Sequence, residues 1–277
     1  MSFQLSKNKR LRKLAVSLLK TFNPGTITIK HPFTGGKLQL DAYIHKGYWY
    51  RGKLVEKDSM DLFSVLINKG DTVIEVGAHI GYMAQFYSYI VGESGSVYLF
   101  EPAEDNLHFL RKNIQIALFK NIVLIEKAVS ETTGTATFYV ETLTGQNNSL
   151  VPDHAGPNSH KNISDESKKS VIQVPTISLD DFMHEKDLHK INFIKIDIEA
   201  AELFAIKGMI QLLQYFKPRF MIEVSRNYDE IHNILQGLGY RFFDIERKEL
   251  QKLSYGNIFG IHVNDHAGLD AINKIET

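Results

Sequence analysis

The stretch Asp71-Thr-Val-Ile-Glu-Val-Gly-Ala-His-Ile-Gly-Tyr82 constrains this chain more than any other segment of its length. Its spacing predicts a buried strand, Thr72 to Val76, a glycine turn, and a helix beginning near Ile80. Gly77 and Gly81 stand where a Cβ is expected to keep a ligand off the backbone. The helix would aim its unpaired N–H groups and positive dipole end at an anion in the crevice. A second predicted strand, Ser96-Val-Tyr-Leu-Phe100, ends in Glu101-Pro102, about twenty residues beyond Gly81, where a carboxylate can take both hydroxyls of a ribose. This pattern suits a nucleoside-like cofactor.

The turn narrows the cofactor class. A dinucleotide fingerprint from Gly77 would need glycines at 79 and 82, where the chain has His79 and Tyr82. A P-loop would need Gly-Lys-Ser/Thr at the helix start, which is missing. What stands here is E-x-G-x-x-x-G, with the acid Glu75 inside the strand. That carboxylate would repel a pyrophosphate and favour a sulfonium amino acid. The segment resembles motif I of class I S-adenosylmethionine-dependent methyltransferases; the alternative is an ordinary tight βα turn.

A length of 277 residues allows one large core plus appendages. The formal net charge is zero, so nothing global points to nucleic acid. The absence of cysteine excludes disulfides, thiolate metal sites and a cysteine nucleophile. No apolar run reaches the ~18–20 residues that span a bilayer, and no signal-peptide core follows the basic N-terminus. A cytoplasmic enzyme is the default expectation.

Residues 1–22 carry Lys7, Lys9, Arg10, Arg12, Lys13 and Lys20 and no acid, with Leu11, Leu14, Leu18 and Phe22 at helical spacing. This predicts a basic amphipathic helix that packs on its own domain or on a second copy, or else docks peripherally on the inner, anionic membrane face. Thr26–Lys30 and Lys37–Asp41 flank a glycine turn as a β-hairpin. Gly47–Arg51 reads as a loop or cap near the crevice, and Asp58 or Ser59 as the cap of a helix ending at Gly70. Residues 1–53 are thus expected to form a cap and residues 54–277 the main domain.

From residue 71 onward, predicted strands and helices alternate. Strands are expected at Ile122–Glu126, Thr135–Val140, Phe193–Asp197 and Arg219–Glu223, and helices at Glu104–Leu118, Ala200–Tyr215 and Tyr228–Leu238. Tyr240–Ile245 and Ile258–Val263 read as a final antiparallel pair. The expected fold is a doubly wound, mostly parallel α/β sheet of Rossmann-like type. Residues 141–170 form a polar stretch read as a lid over cofactor or acceptor, or as a plain loop.

Phe100-Glu-Pro-Ala-Glu-Asp-Asn106, Val174-Pro-Thr-Ile-Ser-Leu-Asp-Asp-Phe182 and Phe193-Ile-Lys-Ile-Asp-Ile-Glu-Ala-Ala-Glu-Leu203 follow motif I in order. With them, the chain resembles the FkbM family of methyltransferases over roughly residues 54–245. Two departures stand out: motif I has His79 where the family usually has Asn and Glu75 where Asp is common, and Ala200 stands where its D-V-E-G-A-E motif has Gly. The resemblance implies S-adenosylmethionine, O-methyl transfer, and an acceptor that is often a sugar, glycan or secondary-metabolite hydroxyl.

The cofactor site is accordingly expected from Glu75, Gly77, Ala78, His79, Gly81 and Tyr82, with Glu101, Pro102 and Asn106 at the ribose. Ala128 lies where such enzymes meet the adenine. Asp197 and Glu223 end the fourth and fifth strands and should open onto one crevice. Asp197 is the first candidate for the base and Glu223 the second; Lys195, two residues from Asp197 on one strand face, is a candidate ion-pair partner. Asn148, Ser149 and Glu199 are candidate acceptor contacts. A divalent ion at these carboxylates stays an option without being predicted. His184 and His189 are five apart, so the zinc-protease pattern H-E-x-x-H fails. The rival readings are an oxidoreductase binding NAD or a nucleotide sugar, and a binding protein that keeps the fold without the chemistry.

Overall fold

The computed structural model describes residues 19, 21–141, 148–152 and 169–274. Apart from Leu19 and Thr21, both helical, and the exposed Phe22, which follows them in a bend, the expected basic helix lies outside the described residues, as do residues 142–147 and 153–168 of the polar stretch with His154 and His160. Among the described residues no helix is long and apolar enough to cross a membrane.

Five short apolar segments form the parallel heart of the sheet: β3 (Thr72–Val76), β4 (Ser96–Phe100), β5 (Ile122–Ile125), β9 (Phe193–Ile196) and β10 (Arg219–Val224). Every residue of β3 is buried, as a strand covered on both faces requires. Three further strands complete the sheet: β11 (Tyr240–Phe243), β12 (Glu249–Leu250) and β13 (Gly256–His262). β13 runs antiparallel between β10 and β11, giving the order β12-β11-β13-β10-β9-β3-β4-β5. The expected final antiparallel pair is present. Successive crossovers run outward from β3 through β4 to β5, then restart at β9 and run the other way. The crevice of such a sheet opens where that order reverses, at the carboxyl ends of β3 and β9.

Side-chain alternation along the strands feeds two cores. Val73, Val97, Leu99, Phe193 and Met221 pack under helices α2 (Lys57–Leu66), α3 (Tyr82–Val91), α4 (Glu104–Gln115) and α9 (His266–Asn273). Ile74, Val76, Ile194, Ile196 and Ile222 pack under α5 (Leu179–Glu185), α6 (Glu202–Lys207), α7 (Ile210–Phe216) and α8 (Tyr228–Gly237). Phe63 of α2 is fully buried, edge-on to Tyr87 and Phe193, and such a side chain stabilises by ~1.5–3 kcal/mol.

The hairpin β1 (Thr26–Lys30) and β2 (Lys37–Asp41) shares the first core through Leu38 and Leu40, both fully buried. It is stitched to α4 by Asn113, whose Oδ1 accepts from the Gln39 N–H at 2.6 Å and whose Nδ2 donates to the Gln39 and Ile80 carbonyls. A smaller sheet, β6-β8-β7, joins Ala128–Val129, Lys169–Ile177 and Gly134–Glu141 beside the crevice.

Several local expectations change. The motif helix begins at Tyr82 rather than near Ile80, because His79 and Gly81 take φ of 49° and 82°, outside the helical region. Gly47–Arg51 lies in a short helix, α1 (Lys46–Arg51), pinned by the Trp49 indole N–H to the Ala42 carbonyl at 2.9 Å. α2 starts at Lys57 after a left-handed Glu56, so neither Asp58 nor Ser59 is its cap, and it ends at Leu66. The helix expected over Ala200–Tyr215 is two helices broken at Gly208 and Met209. There the backbone runs against Ser130; a Cβ on Gly208 would lie 2.1 Å from the Ser130 carbonyl oxygen.

Candidate active site

The motif turn is held by the strand beside it. The Gly77 and Ala78 N–H groups both donate to the Phe100 carbonyl, at 3.0 and 3.1 Å. The His79 N–H donates to Glu101 Oε2 at 2.9 Å, while Glu101 Oε1 accepts from the Ala103 N–H at 3.0 Å and Asn106 adds a side-chain hydrogen bond. Burial pushes the Glu101 carboxyl up to about 7, against the pull of those hydrogen bonds. Three of the carboxylate's roughly four lone-pair sites are thus taken, leaving one for a ligand.

The glycines serve the chain before any ligand. Gly77 has φ 86°, and a Cβ there would meet the Asp197 carbonyl oxygen at 2.1 Å; at Gly81, φ 82°, it would meet Leu110 Cδ1 at 2.7 Å. Both glycines have a role within the chain, since they permit β3's turn to close against β9 and α4, and Gly77 lines the cavity as well. His79 at φ 49° occupies a conformation that Asn and His tolerate better than most residues, so the two are interchangeable for the backbone.

Beside the turn lies a cavity of about 350 Å³. Most of the residues expected at the cofactor and catalytic sites line it: Glu75, Gly77, Ala78, His79, Tyr82, Glu101, Pro102, Asn106 and Ala128, with Lys195, Asp197, Glu199, Glu223 and Asn148. Gly81 and Ser149 do not. Gly81 is turned to α4, and Ser149 lies behind, with Oγ donating to the Glu199 carbonyl at 2.5 Å and its backbone paired with Tyr139.

Lys195 and Asp197 form the expected ion pair, Nζ to Oδ2 at 3.0 Å, and Glu75 Oε1 approaches the same ammonium at 3.7 Å. Register explains the approach, since Glu75 and Lys195 are Cα partners across β3 and β9. Burial raises the Glu75 carboxyl to about 8 although Lys195 opposes it, and its Oε2 has no hydrogen-bond partner among the described residues. The Tyr82 and Tyr87 hydroxyls, also buried, are likewise without partners there. Burial disfavours the charge on Lys195, yet Asp197 and Glu75 outweigh that and keep it protonated.

Asp197 and Glu223 are hydrogen-bonded to each other. Burial opposes ionisation of Asp197, but Lys195 and the Glu223 hydrogen bond hold its carboxyl below the usual range. Glu223 is driven the other way, first by burial and then by Asp197, up to about 8. The pair thus carries one proton, on Glu223, at neutral pH. Among the described residues no three His, Asp or Glu side chains are grouped to hold a metal ion.

Sequence reasoning passed over four residues. Tyr48 and Glu56 line the cavity from the N-terminal side, the Tyr48 hydroxyl 3.2 Å from His79 Nδ1. Asn257 lines it from β13, opposite Glu223 in register, and Tyr255 hydrogen-bonds Glu223 from the rim. The Tyr-Trp-Tyr run near the crevice was the only signal for any of them. Ser178 and Asp180, inside the Val174–Phe182 motif, are scaffold: Ser178 caps α5, and Asp180 accepts from the Gln211 and Leu212 N–H groups of α7.

Similarity to known proteins follows the same segment. The methyltransferase FkbM domain matches residues 75–242. The hexuronic acid methyltransferase AglP of Haloferax volcanii is 25% identical over 159 residues, covering 57% of this chain and 58% of that protein. A protein-L-isoaspartate O-methyltransferase of Methanosarcina mazei is 37% identical over 57 residues, covering 21% and 24%. The chain therefore spans less than two thirds of both. Among solved structures, methyltransferase FkbM from Methylobacillus flagellatus aligns over 79% of this chain and 50% of that one, at 17% identity and TM-score 0.44. By the match that spans the motif turn, the Glu101 strand and the Lys195–Asp197 strand, this chain belongs to the FkbM methyltransferase family.

Proposed function

We propose that this protein transfers a methyl group from S-adenosylmethionine to a hydroxyl of a sugar or glycan. One observation carries the reading: the motif turn, the Glu101 carboxylate and the Lys195–Asp197–Glu223 cluster meet in a single cavity. The donor set fits the cofactor. Six carboxylic residues (Glu56, Glu75, Glu101, Asp197, Glu199, Glu223) face two lysines, Lys127 and Lys195, so the cavity is rich in acceptors for an ammonium or a hydroxyl, and its negative charge grows as pH rises past the raised values of Glu101, about 7, and of Glu75 and Glu223, about 8. The unpartnered Glu75 Oε2 is such an acceptor. The pyrophosphate of NAD would be repelled by the same groups, which counts against the oxidoreductase alternative. Membership of the family supports methyl transfer, and a relative named for a hexuronic acid supports a sugar acceptor.

Glu101, Pro102 and Asn106 would hold the ribose, Lys127 and Ala128 would border the base, and Glu75 with the Gly77–Tyr82 turn would face the amino-acid end. Bound there, S-adenosylmethionine supplies a methyl group already activated on a sulfonium. The chain's part is to place the acceptor and take its proton. Placement contributes up to ~7–11 kcal/mol when geometry is good. Asp197, kept ionised by Lys195, accepts a hydrogen bond from the acceptor hydroxyl, and the Asp197–Glu223 pair takes its proton once Glu223 has ionised. A base in that position contributes ~10²–10⁴-fold. Glu199 and Asn148 frame the acceptor side, with Ser149 bracing the Glu199 carbonyl.

Calorimetry with S-adenosylhomocysteine and with NAD, followed by tritiated methyl transfer to a glycan panel, tests the reading. Binding of S-adenosylhomocysteine alone, with label passed to a glycan, is the expected result. Heat with NAD and none with S-adenosylhomocysteine would overturn it.

A further inference from the structure

The acceptor half of the cavity, taken with the methyl-transfer reading on which this inference rests, bears on substrate charge. β10 and β13 form one wall, where Glu223 and Asn257 are register partners and Tyr255, about half exposed, hydrogen-bonds Glu223 from the rim. Asp197 and Glu199, on the loop after β9, form the other wall, with Asn148 above them. This half presents three carboxylic side chains, two carboxamides and a phenol.

Among the described residues no lysine or arginine is free to answer an acidic ligand there; His79, on the motif turn, also lines the cavity, and its charge bears on Asp197. Lys195 is bound to Asp197 at 3.0 Å and approached by Glu75 at 3.7 Å. Lys127 follows β5, four strand spacings from β10, ~19 Å across the sheet. Arg226, just past β10, does not line the cavity. Asp197 and Glu199 accept hydroxyl protons and disfavour an anion, while the protonated Glu223, the carboxamides and the phenol can also donate. The exposed Tyr255 ring adds an apolar face with a polar tip, suited to the C–H face of a pyranose.

We infer that the acceptor is an electroneutral polyhydroxylated ring and that a uronate is selected against at this site. An acid on the substrate would be stripped of water beside the Asp197 and Glu199 carboxylates, with no lysine or arginine among the described residues free to replace it. A hydroxymethyl group at the same position instead donates a hydrogen bond to one of those carboxylates. In this the chain departs from its relative named for a hexuronic acid.

The test compares kcat/KM for matched pairs that differ only in that group: methyl glucopyranoside against methyl glucuronopyranoside, and the galacto pair likewise. The wild-type protein and Glu199→Gln are both used, each first shown by calorimetry to bind S-adenosylhomocysteine. The neutral member should be used at least tenfold better, and Glu199→Gln should narrow that gap several-fold. A uronide used as well as its neutral partner overturns the inference while leaving methyl transfer intact. So does an unchanged gap in Glu199→Gln, or transfer to no pyranoside by a protein that binds S-adenosylhomocysteine. Failure to bind S-adenosylhomocysteine overturns the methyl-transfer reading itself, and this inference with it.

Discussion

The Lys195 ammonium lies 3.0 Å from the Asp197 carboxylate, and the side chain that carries it is almost wholly buried while that of Asp197 is one third exposed. The pair spans the boundary between the core and the crevice. Their spacing on β9 puts both on one strand face, and the register of β3 delivers Glu75 to the inner side of the same ammonium. One lysine therefore fixes the charge state of a carboxylate at the opening and compensates another beneath it.

Lys195→Met should accordingly destabilise the fold by ~3 kcal/mol, the low end for breaking a buried pair. The low end applies because Glu75, whose carboxyl is raised to about 8, mostly holds its proton at neutral pH already, and Asp197 can reach water. Urea unfolding at neutral pH measures this. A loss well under 1 kcal/mol would show that water, not Lys195, compensates these carboxylates.

Ala200 has φ 74°, a left-handed conformation that costs a residue with a Cβ ~1–2 kcal/mol, and the residue before it, Glu199, is left-handed too. The family's glycine at this place would take it freely. Ala200→Gly should relieve that strain and lose ~0.4–1 kcal/mol to the greater freedom of the unfolded chain, for a net gain of ~0.5–1 kcal/mol. A urea midpoint that falls instead of rising would mean that the alanine methyl, which is buried, contributes more by packing than it costs in strain.

Glu202 supports the same turn, with Oε1 accepting from the Ala200 N–H at 2.8 Å and Oε2 from the Ser225 hydroxyl at 3.1 Å. Burial raises its carboxyl to about 7, and burial likewise raises Glu101 to about 7 and Glu75 to about 8. In each case the folded pKa exceeds the unfolded value of ~4.3. The stability these protons bring is complete below the unfolded pKa and is lost as pH rises through about 7 to 8. Unfolding free energy measured against pH should therefore fall across that window, and Glu202→Gln should fall less steeply. Identical slopes in the two proteins would remove Glu202 from this role.

Much of this was legible in the sequence, because strands buried on both faces announce themselves as short apolar runs and because a spacing of two places Lys195 and Asp197 together. Glu101 could be placed at the end of β4 from the motif alone. The rest depends on neighbours distant in the chain. Only the adjacency of β3 and β9 reveals that Gly77 makes room for the Asp197 carbonyl. The insertion of β13 beside β10 brings Asn257 and Tyr255 to Glu223, and no local pattern around 255–257 hints at it. The break at Gly208 follows from the close passage of Ser130, and α1 from the Trp49 anchor to Ala42.

Glu101 makes a sharper probe of the cofactor site as Gln than as Ala. Its two oxygens hold the His79 and Ala103 N–H groups, so Glu101→Ala should loosen the turn as well as remove the proposed ribose contact. Glu101→Gln keeps one acceptor and the shape. It should weaken S-adenosylhomocysteine binding by ~1.5–3 kcal/mol, the range for hydrogen bonds to a charged group, while its NH2, set against one of the two backbone N–H groups, lowers melting less than the truncation to Ala does. Unchanged affinity in calorimetry would take Glu101 out of ribose recognition and leave it as a brace of the turn.

The Asp197–Glu223 pair sets the last expectation, for the pH dependence of turnover. Asp197 stays ionised at neutral pH but is a weak base, since Lys195 and the Glu223 hydrogen bond hold its proton affinity down. Glu223 has the affinity a general base needs, yet below about 8 it already carries the proton. Turnover that requires the pair to take up a hydroxyl proton should thus climb as pH rises through about 8, the direction expected for a base whose pKa is raised. Glu223→Gln keeps the hydrogen bond to Asp197 but cannot ionise. It should flatten that limb and lower kcat ~10²-fold while S-adenosylhomocysteine affinity holds. Asp197→Asn should also lower kcat, but with the limb displaced, because Glu223 loses the negative neighbour that raises it. If both variants keep a wild-type pH profile and turn over within a few-fold of it, neither carboxylate is the base, and placement of the acceptor accounts for the rate.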